Sequence, residues 1–293
     1  MAYLDGKRPH VVIERGTYQH IKMEAYGPDL RPVWKWFSKD DAPEFHHQGA
    51  HTLLAADVDD DGRDELVMGS GVIDDTGKAL WCNRMGHPDV CYVGDIDPAH
   101  PGLEIFYGYE TRQKTDGVCL ADARTGRKLW AFQGPTRHVH SQGMCGDILA
   151  DHPGQECYAG EAKGGDQYWL YTAAGKRLGD KDVAGLNPWA LWWDADPQKE
   201  VLYGRKIRDW DGKTWADLGG LRRQAVVADV LGDWREELIA SFPGEIRIYT
   251  TTVPATTRRP CLMLDRFYRT YVATSGSGYN TPPQHSRPFH FGP

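Results

Sequence analysis

The stretch Ala56-Asp57-Val58-Asp59-Asp60-Asp61-Gly62-Arg63-Asp64-Glu65-Leu66-Val67 decides the reading of the chain, because its plan returns four more times. A small residue precedes an Asp-led turn, and the turn leads into Glu followed by two apolar residues. The later copies run from Asp95 to Glu104-Ile105-Phe106, Asp147 to Glu156-Cys157-Tyr158, Asp194 to Glu200-Val201-Leu202 and Asp229 to Glu237-Leu238-Ile239. The lead aspartates stand 38, 52, 47 and 35 residues apart. A Gly turn and a short strand follow, as in Asp75-Thr76-Gly77-Lys78 into Leu80-Trp81 and Arg124-Thr125-Gly126-Arg127 into Leu129-Trp130. Tyr26-Gly27-Pro28-Asp29 into Val33-Trp34 ends an earlier unit, so about six units are visible.

Short apolar runs between Gly, Asp and Pro turns, with no sustained helical period, read as an all-β chain. Repeats of this length made only of strands predict a β-propeller, one domain over residues 1–293. Ring closure is expected from residues 262–291 pairing with Val11-Val12-Ile13. The 33 Gly, 18 Pro, 11 Trp and 14 Tyr suit a turn-rich globular β protein. A net charge of −7 without a basic block argues against a nucleic-acid partner. No apolar run reaches the ~18 residues of a membrane span, and the first residues are not a signal peptide, so a soluble chain is expected. The six cysteines lack C-x-x-C spacing and read as buried thiols.

Two groups of residues carry candidate chemistry. Asp57, Asp59 and Asp61, with Gly62 at the bend and Glu65 beyond it, have the spacing of a Ca²⁺ loop. The alternative is an Asp-rich turn capping its own amides. The second group is histidine: His51, His87 and His140 lie 6, 8 and 7 residues before Asp57, Asp95 and Asp147, and His138 adjoins them. Equivalent loops emerge on one rim, which would bring these histidines to one cleft. Arg222 and Arg223 hold the matching place in the last repeat, and with Arg137 they suit an acidic ligand. A zinc site made of histidines alone is not favoured, since no H-E-x-x-H is present. Trp189 could stack on a sugar ring or fill the core.

Several phrases together resemble polysaccharide lyase family 11, the rhamnogalacturonan lyases. They include Arg15-Gly16-Thr17-Tyr18, Gln48-Gly49-Ala50-His51, Gly86-His87-Pro88-Asp89, Gly232-Asp233-Trp234-Arg235-Glu236-Glu237 and Tyr279-Asn280-Thr281-Pro282-Pro283, in family order along nearly the whole chain. The resemblance implies a Ca²⁺-bearing propeller that cleaves a rhamnosyl-uronate bond by β-elimination, acting on an acidic rhamnose-containing polysaccharide outside the cell or in the periplasm. It also implies Tyr279 as the acid or a substrate hydrogen-bonder, and Asn280 as a substrate contact. His51 or His87 is then the base, Arg222 or Arg223 the carboxylate clamp, and His138 and His140 further substrate contacts. Two departures stand out. The family ring is eight-bladed and begins upstream, and its Asn-Gly-Thr-Lys loop is Gly219-Gly220-Leu221-Arg222-Arg223 here. The changed loop leaves a rhamnosyl-glucuronate substrate as an alternative, and a non-catalytic glycan-binding module as another.

Overall fold

The computed structural model describes residues 1–140, 143–161, 167–180, 182, 188–221, 224–275, 278–279 and 281–286. The described strands form six antiparallel meanders. The first sheet is β1 (Val11–Arg15), β2 (Lys22–Tyr26) and β3 (Pro32–Phe37), followed by the one-turn helix α1 (Ser38–Asp41). The second is β4 (Gly49–Ala56), β5 (Glu65–Gly69), β6 (Gly71–Ile73) and β7 (Ala79–Cys82). The third is β8 (Pro88–Gly94), β9 (Glu104–Tyr109), β10 (Val118–Asp122) and β11 (Lys128–Ala131). The fourth comprises β12 (Gly143–Gly146), β13 (Glu156–Gly160), β14 (Tyr168–Tyr171) and β15 (Arg177–Gly179). The fifth comprises β16 (Trp189–Leu191), β17 (Glu200–Tyr203), β18 (Lys206–Arg208) and β19 (Thr214–Asp217), and the last β20 (Gln224–Ala228), β21 (Glu237–Phe242) and β22 (Glu245–Tyr249).

The sequence repeat has a physical cause at each sheet. Glu65, Glu104, Glu156, Glu200 and Glu237 open the second strands, all buried, and each turns a carboxylate oxygen onto the Asp-led turn. Glu104 accepts from the Ile96 and Asp97 N–H groups at 2.8 and 3.0 Å, and Glu156 from Ile148 and Leu149 at 3.0 and 3.1 Å. Glu237 does the same for Val230 and Leu231, both at 3.0 Å. These amides would otherwise be buried without partners, which is why an acidic residue recurs inside an apolar strand.

Tryptophan joins one sheet to the next. The Trp34, Trp81 and Trp130 indole N–H groups donate to the Asp75, Ala123 and Ala173 carbonyls at 2.7, 3.0 and 2.7 Å. The Gly of the following sheet's turn sits under each ring. Gly126 has φ +71°, and a Cβ there would lie 2.6 Å from the Trp81 ring. Gly is thus required twice over, for the left-handed backbone and for the close approach.

From the second sheet to the fifth the first strands pack on one another: β4 on β8, β8 on β12 and β12 on β16. β8 is buried along its whole length, on both faces, which accounts for its near-continuous apolar run.

All-β architecture holds, but the expectation of a β-propeller is corrected. The six sheets are separate, none is curled or closed into a propeller, and among the described residues no strand pairing joins the first sheet to the last. The segment expected to close a ring is helical instead: Leu262–Leu264 forms a 3₁₀ turn and Arg266–Thr274 the helix α2, while β1 pairs with β2. Asp265 caps α2 by accepting from the Phe267 N–H at 2.9 Å. Phe267 and Tyr271, four residues apart, put one apolar face into the core, and the helix packs between β4 and β20. Residues 287–291 lie outside the described residues.

Candidate active site

Three consecutive sheets place their entering loops at the same end. His51 lies near the start of β4, His87 and Asp89 at the start of β8, Glu110 directly after β9, and His138 and His140 just before β12. The structure brings His51, His87 and His140 together as expected, with His138 beside them, and two carboxylates stand between them. His87 Nε2 is 3.0 Å from Asp89 Oδ1 and 3.3 Å from Glu110 Oε2. His51 Nε2 is 3.7 Å from Asp89 Oδ1. On the other side, His138 Nε2 is 3.3 Å from Glu110 Oε1 and His140 Nδ1 is 2.5 Å from Asp89 Oδ2. The Asp89 side chain has no exposed surface, whereas about a quarter of His51, His138 and Glu110 is open. A fully enclosed carboxylate thus lies at the floor of a partly exposed cluster.

Two tyrosines border the cluster. Tyr18, from the loop between β1 and β2, has its hydroxyl 2.9 Å from His51 Nε2. The Tyr279 ring lies 4.4 Å from that of His51, its position fixed by the Thr52 hydroxyl donating to its carbonyl at 3.1 Å. Burial, reinforced by the neighbouring His87, holds the His51 imidazole below its ordinary range, so it is neutral at pH 7. Burial raises the Tyr18 phenol, with Glu110 and Asp89 adding to the effect. His87 differs from His51: it is buried, and its Nδ1 is engaged by the Gly49 carbonyl, which aims Nε2 at the two carboxylates.

Sequence reasoning missed Asp89, Glu110 and Tyr18. Asp89 and Tyr18 stand inside quoted phrases, and alternation in β8 put Asp89 on the same side as His87. Glu110 had no signal beyond a charge ending an apolar strand.

The Asp-rich loop lies elsewhere. Asp57 follows the last residue of β4 and His51 is near its first, so they are separated by about 20 Å at ~3.3 Å per residue. Carboxylate oxygens of Asp57, Asp59 and Asp61 gather within 4.8 Å of one another, as a cation would require. Glu65 is not with them: it accepts from the Val58 N–H at 2.9 Å and clusters with Asp74 and Asp75. Burial pushes its carboxyl up to about 8. The loop also bonds to itself, Asp57 accepting from the Asp61 and Gly62 N–H groups at 3.1 and 2.9 Å, and Arg266 stands 3.9 Å from Asp57. A cavity of about 830 Å³ lined by Asp57, Asp64, His100, Arg124 and Arg266 opens at this far end, and none of His51, His87, His138 and His140 lines it.

Trp189 is 1% exposed and packs with Leu191, Trp193 and Leu202, so it is core and not a sugar platform. Arg137 is exposed next to His138. Arg222, Arg223 and Asn280 lie outside the described residues.

Among known proteins, the family model described as rhamnogalacturonan lyase family 11, C-terminal domain, matches residues 1–292. Rhamnogalacturonan endolyase YesW of Bacillus subtilis (strain 168) is 36% identical, over 98% of this chain and 47% of its own length. Rhamnogalacturonan exolyase YesX of the same organism is 34% identical, over 97% and 51%. The solved Bacillus licheniformis rhamnogalacturonan lyase PL11 is 35% identical with a TM-score of 0.88, over 97% of this chain and 50% of that one. The chain thus spans about half the length of the curated relatives it matches, and over that span it belongs to rhamnogalacturonan lyase family 11 as the family's C-terminal domain.

Proposed function

We propose that this chain carries the chemical centre of a lyase that breaks an α-L-rhamnosyl-(1→4)-uronate bond in an acidic rhamnose-containing polysaccharide by β-elimination. The observation that carries the reading is the meeting of His51, His87, His138 and His140 with Asp89 and Glu110 beneath two tyrosines, in a member of this family. Elimination needs a base for the C5 proton, a donor for the leaving O4, and positive charge near the uronate carboxylate. His51 suits the base, being neutral, partly exposed and hydrogen-bonded at Nε2 to Tyr18. Tyr279, in ring contact with His51, is the donor to O4.

His87, Asp89 and Glu110 fit a cation. The observation behind this is that His87 Nε2 has Asp89 Oδ1 at 3.0 Å and Glu110 Oε2 at 3.3 Å, while Asp89 Oδ2 is buried without hydrogen-bond geometry to any partner. A divalent cation there would neutralise the uronate carboxylate and so acidify the C5 proton. Asp89 and Glu110 orient the imidazole of His87, and the buried wall behind them excludes water. Ca²⁺ at Asp57, Asp59 and Asp61 is proposed as structural only, since the far end of β4 is too distant to affect His51.

The test is incubation with rhamnogalacturonan and, separately, with a rhamnosyl-glucuronate glycan, following the near-ultraviolet absorbance of an unsaturated uronate. Absorbance that appears on one substrate and is abolished by His51→Asn supports the reading. Saturated reducing ends, or binding without any chromophore, would overturn it.

A further inference from the structure

We propose that Lys22, Phe37, His20 and His46 form a second sugar-binding position, which holds an acidic residue of the polysaccharide away from the bond that breaks. The inference rests on the reading above that an acidic glycan binds over His51, and extends it to a surface the chemistry does not use.

Four rings meet in a row between the β1–β2 loop and the segment that leads into β4. The His20 ring stacks on that of His46 at 4.6 Å, with planes 25° apart, and meets Phe37 edge-on at 5.8 Å. His46 in turn lies 4.0 Å from His47, and Lys22 Nζ stands 4.4 Å over the Phe37 ring. His20, Lys22 and His47 are exposed, while His46 and Phe37 are half-buried. Such a row matches the three parts of an acidic sugar. Ring faces cover its apolar side, imidazole nitrogens exchange hydrogen bonds with its hydroxyls, and the ammonium takes its carboxylate.

The charge at this place also asks for an anion. Arg15 stands directly opposite Lys22 in the β1–β2 ladder, and both are exposed. Like charges so placed repel across a sheet. Glu24 acts on Lys22, but its oxygens are taken up by Lys35 Nζ at 3.1 Å and by the Tyr26 hydroxyl. Partial burial, with His47 and His20 beside it, holds the His46 imidazole below its ordinary range, so the positive charge comes from Lys22 and Arg15 while the stack supplies hydrogen bonds.

The row adjoins the proposed active site across one residue. The loop that presents His20 also carries Tyr18, whose hydroxyl is 2.9 Å from His51 Nε2 and whose ring is 4.7 Å from that of His87. His47 is fastened to the same loop: its N–H donates to the Gln19 carbonyl at 3.2 Å, and its Nδ1 engages the Tyr18 carbonyl. It takes φ +65° there, a left-handed backbone uncommon outside glycine and typical of residues held for a ligand. A glycan over His51 therefore has the row of rings as its neighbour across Tyr18.

The test compares the full chain with its His20→Ala/His46→Ala variant on polymeric rhamnogalacturonan and on the shortest rhamnogalacturonan oligosaccharide it cleaves. KM for the polymer should rise about three- to tenfold, the worth of one or two hydrogen bonds, with kcat unchanged and the short substrate unaffected. An equal rise on both substrates, or none on either, overturns the inference. Independently of turnover, the imidazole C–H signals of His20 and His46 should shift in NMR spectra as rhamnogalacturonan oligosaccharides are added. Shifted signals without unsaturated product from any substrate would keep this position and remove the lyase reading, whereas product with unmoved signals would do the reverse. Lys22→Met keeps the stem over Phe37 without the charge and repeats the comparison if the double variant fails to fold; an unchanged KM for the polymer then overturns the inference.

Discussion

The Tyr18 hydroxyl and His51 Nε2 are hydrogen-bonded at 2.9 Å, joining the loop after β1 to the first strand of the next sheet across 33 residues. In the proposed reaction, with burial and the neighbouring His87 lowering the His51 imidazole, this contact would relay a proton between imidazole and solvent and hold the ring's orientation. Tyr18→Phe should therefore lower kcat by roughly tenfold to a hundredfold with KM little changed. Steady-state kinetics on rhamnogalacturonan decides it, and an unaltered kcat would take Tyr18 out of the mechanism.

Asp89→Asn removes the charge of a proposed cation ligand whose side chain has no exposed surface. Loss of a positioning group around a metal typically costs about 10–100-fold in affinity or activity, and a direct ligand should exceed the upper figure. Titrating activity against added divalent metal should show a midpoint moved to higher concentration. A midpoint equal to wild type would mean that Asp89 holds no cation.

At the far end of β4, Asp59→Asn with Asp61→Asn should abolish any rise in melting temperature produced by Ca²⁺ after chelation. Since about 20 Å is two Debye lengths at ordinary ionic strength, kcat/KM should stay within about threefold. A large loss of activity in this variant, with unchanged secondary structure, would contradict the separation of the two sites.

Gly126→Ala tests the joint between sheets. The residue needs φ +71° and has the Trp81 ring 2.6 Å from where a Cβ would sit. Strain and overpacking together should destabilise by about 1–3 kcal/mol, read from urea unfolding. Gly179→Ala, where a Cβ meets nothing within 4 Å, is the control and should be close to neutral.

The recurring buried glutamates make stability depend on pH in an unusual direction. Burial pushes the Glu156 carboxyl up to about 8 from an ordinary 4.5. The folded state therefore holds this proton more tightly than the unfolded chain, so the contribution is complete below pH 4.5 and is lost as pH rises through about 8. Glu156→Gln keeps an acceptor for the Ile148 and Leu149 amides and cannot ionise. Its melting temperature, measured without divalent metal, should fall less than that of wild type between pH 5 and 8; parallel curves would show that Glu156 does not titrate in this window.

Much of the local plan was written in the chain. The Asp-led turn followed by a buried Glu recurs because each turn exposes amides that a side-chain acceptor at a fixed offset satisfies, and the Gly-Lys/Arg-x-Leu-Trp segment recurs because the indole must reach the next sheet. Spacing from the lead aspartates was likewise enough to bring His51, His87, His138 and His140 together, since loops entering equivalent strands emerge at one end. Other features were decided only by tertiary packing. Phe267 and Tyr271 fit a strand or a helix equally well over so short a run, and the gap between β4 and β20 selected the helix, so the expected closing strand never formed. Glu65 carries the spacing of a cation ligand, yet the unsatisfied amide of Val58 turned it away from the Asp loop. Glu110 gains its role solely because β9 ends where two neighbouring sheets deliver histidines, a coincidence in space that residues far apart in sequence cannot announce.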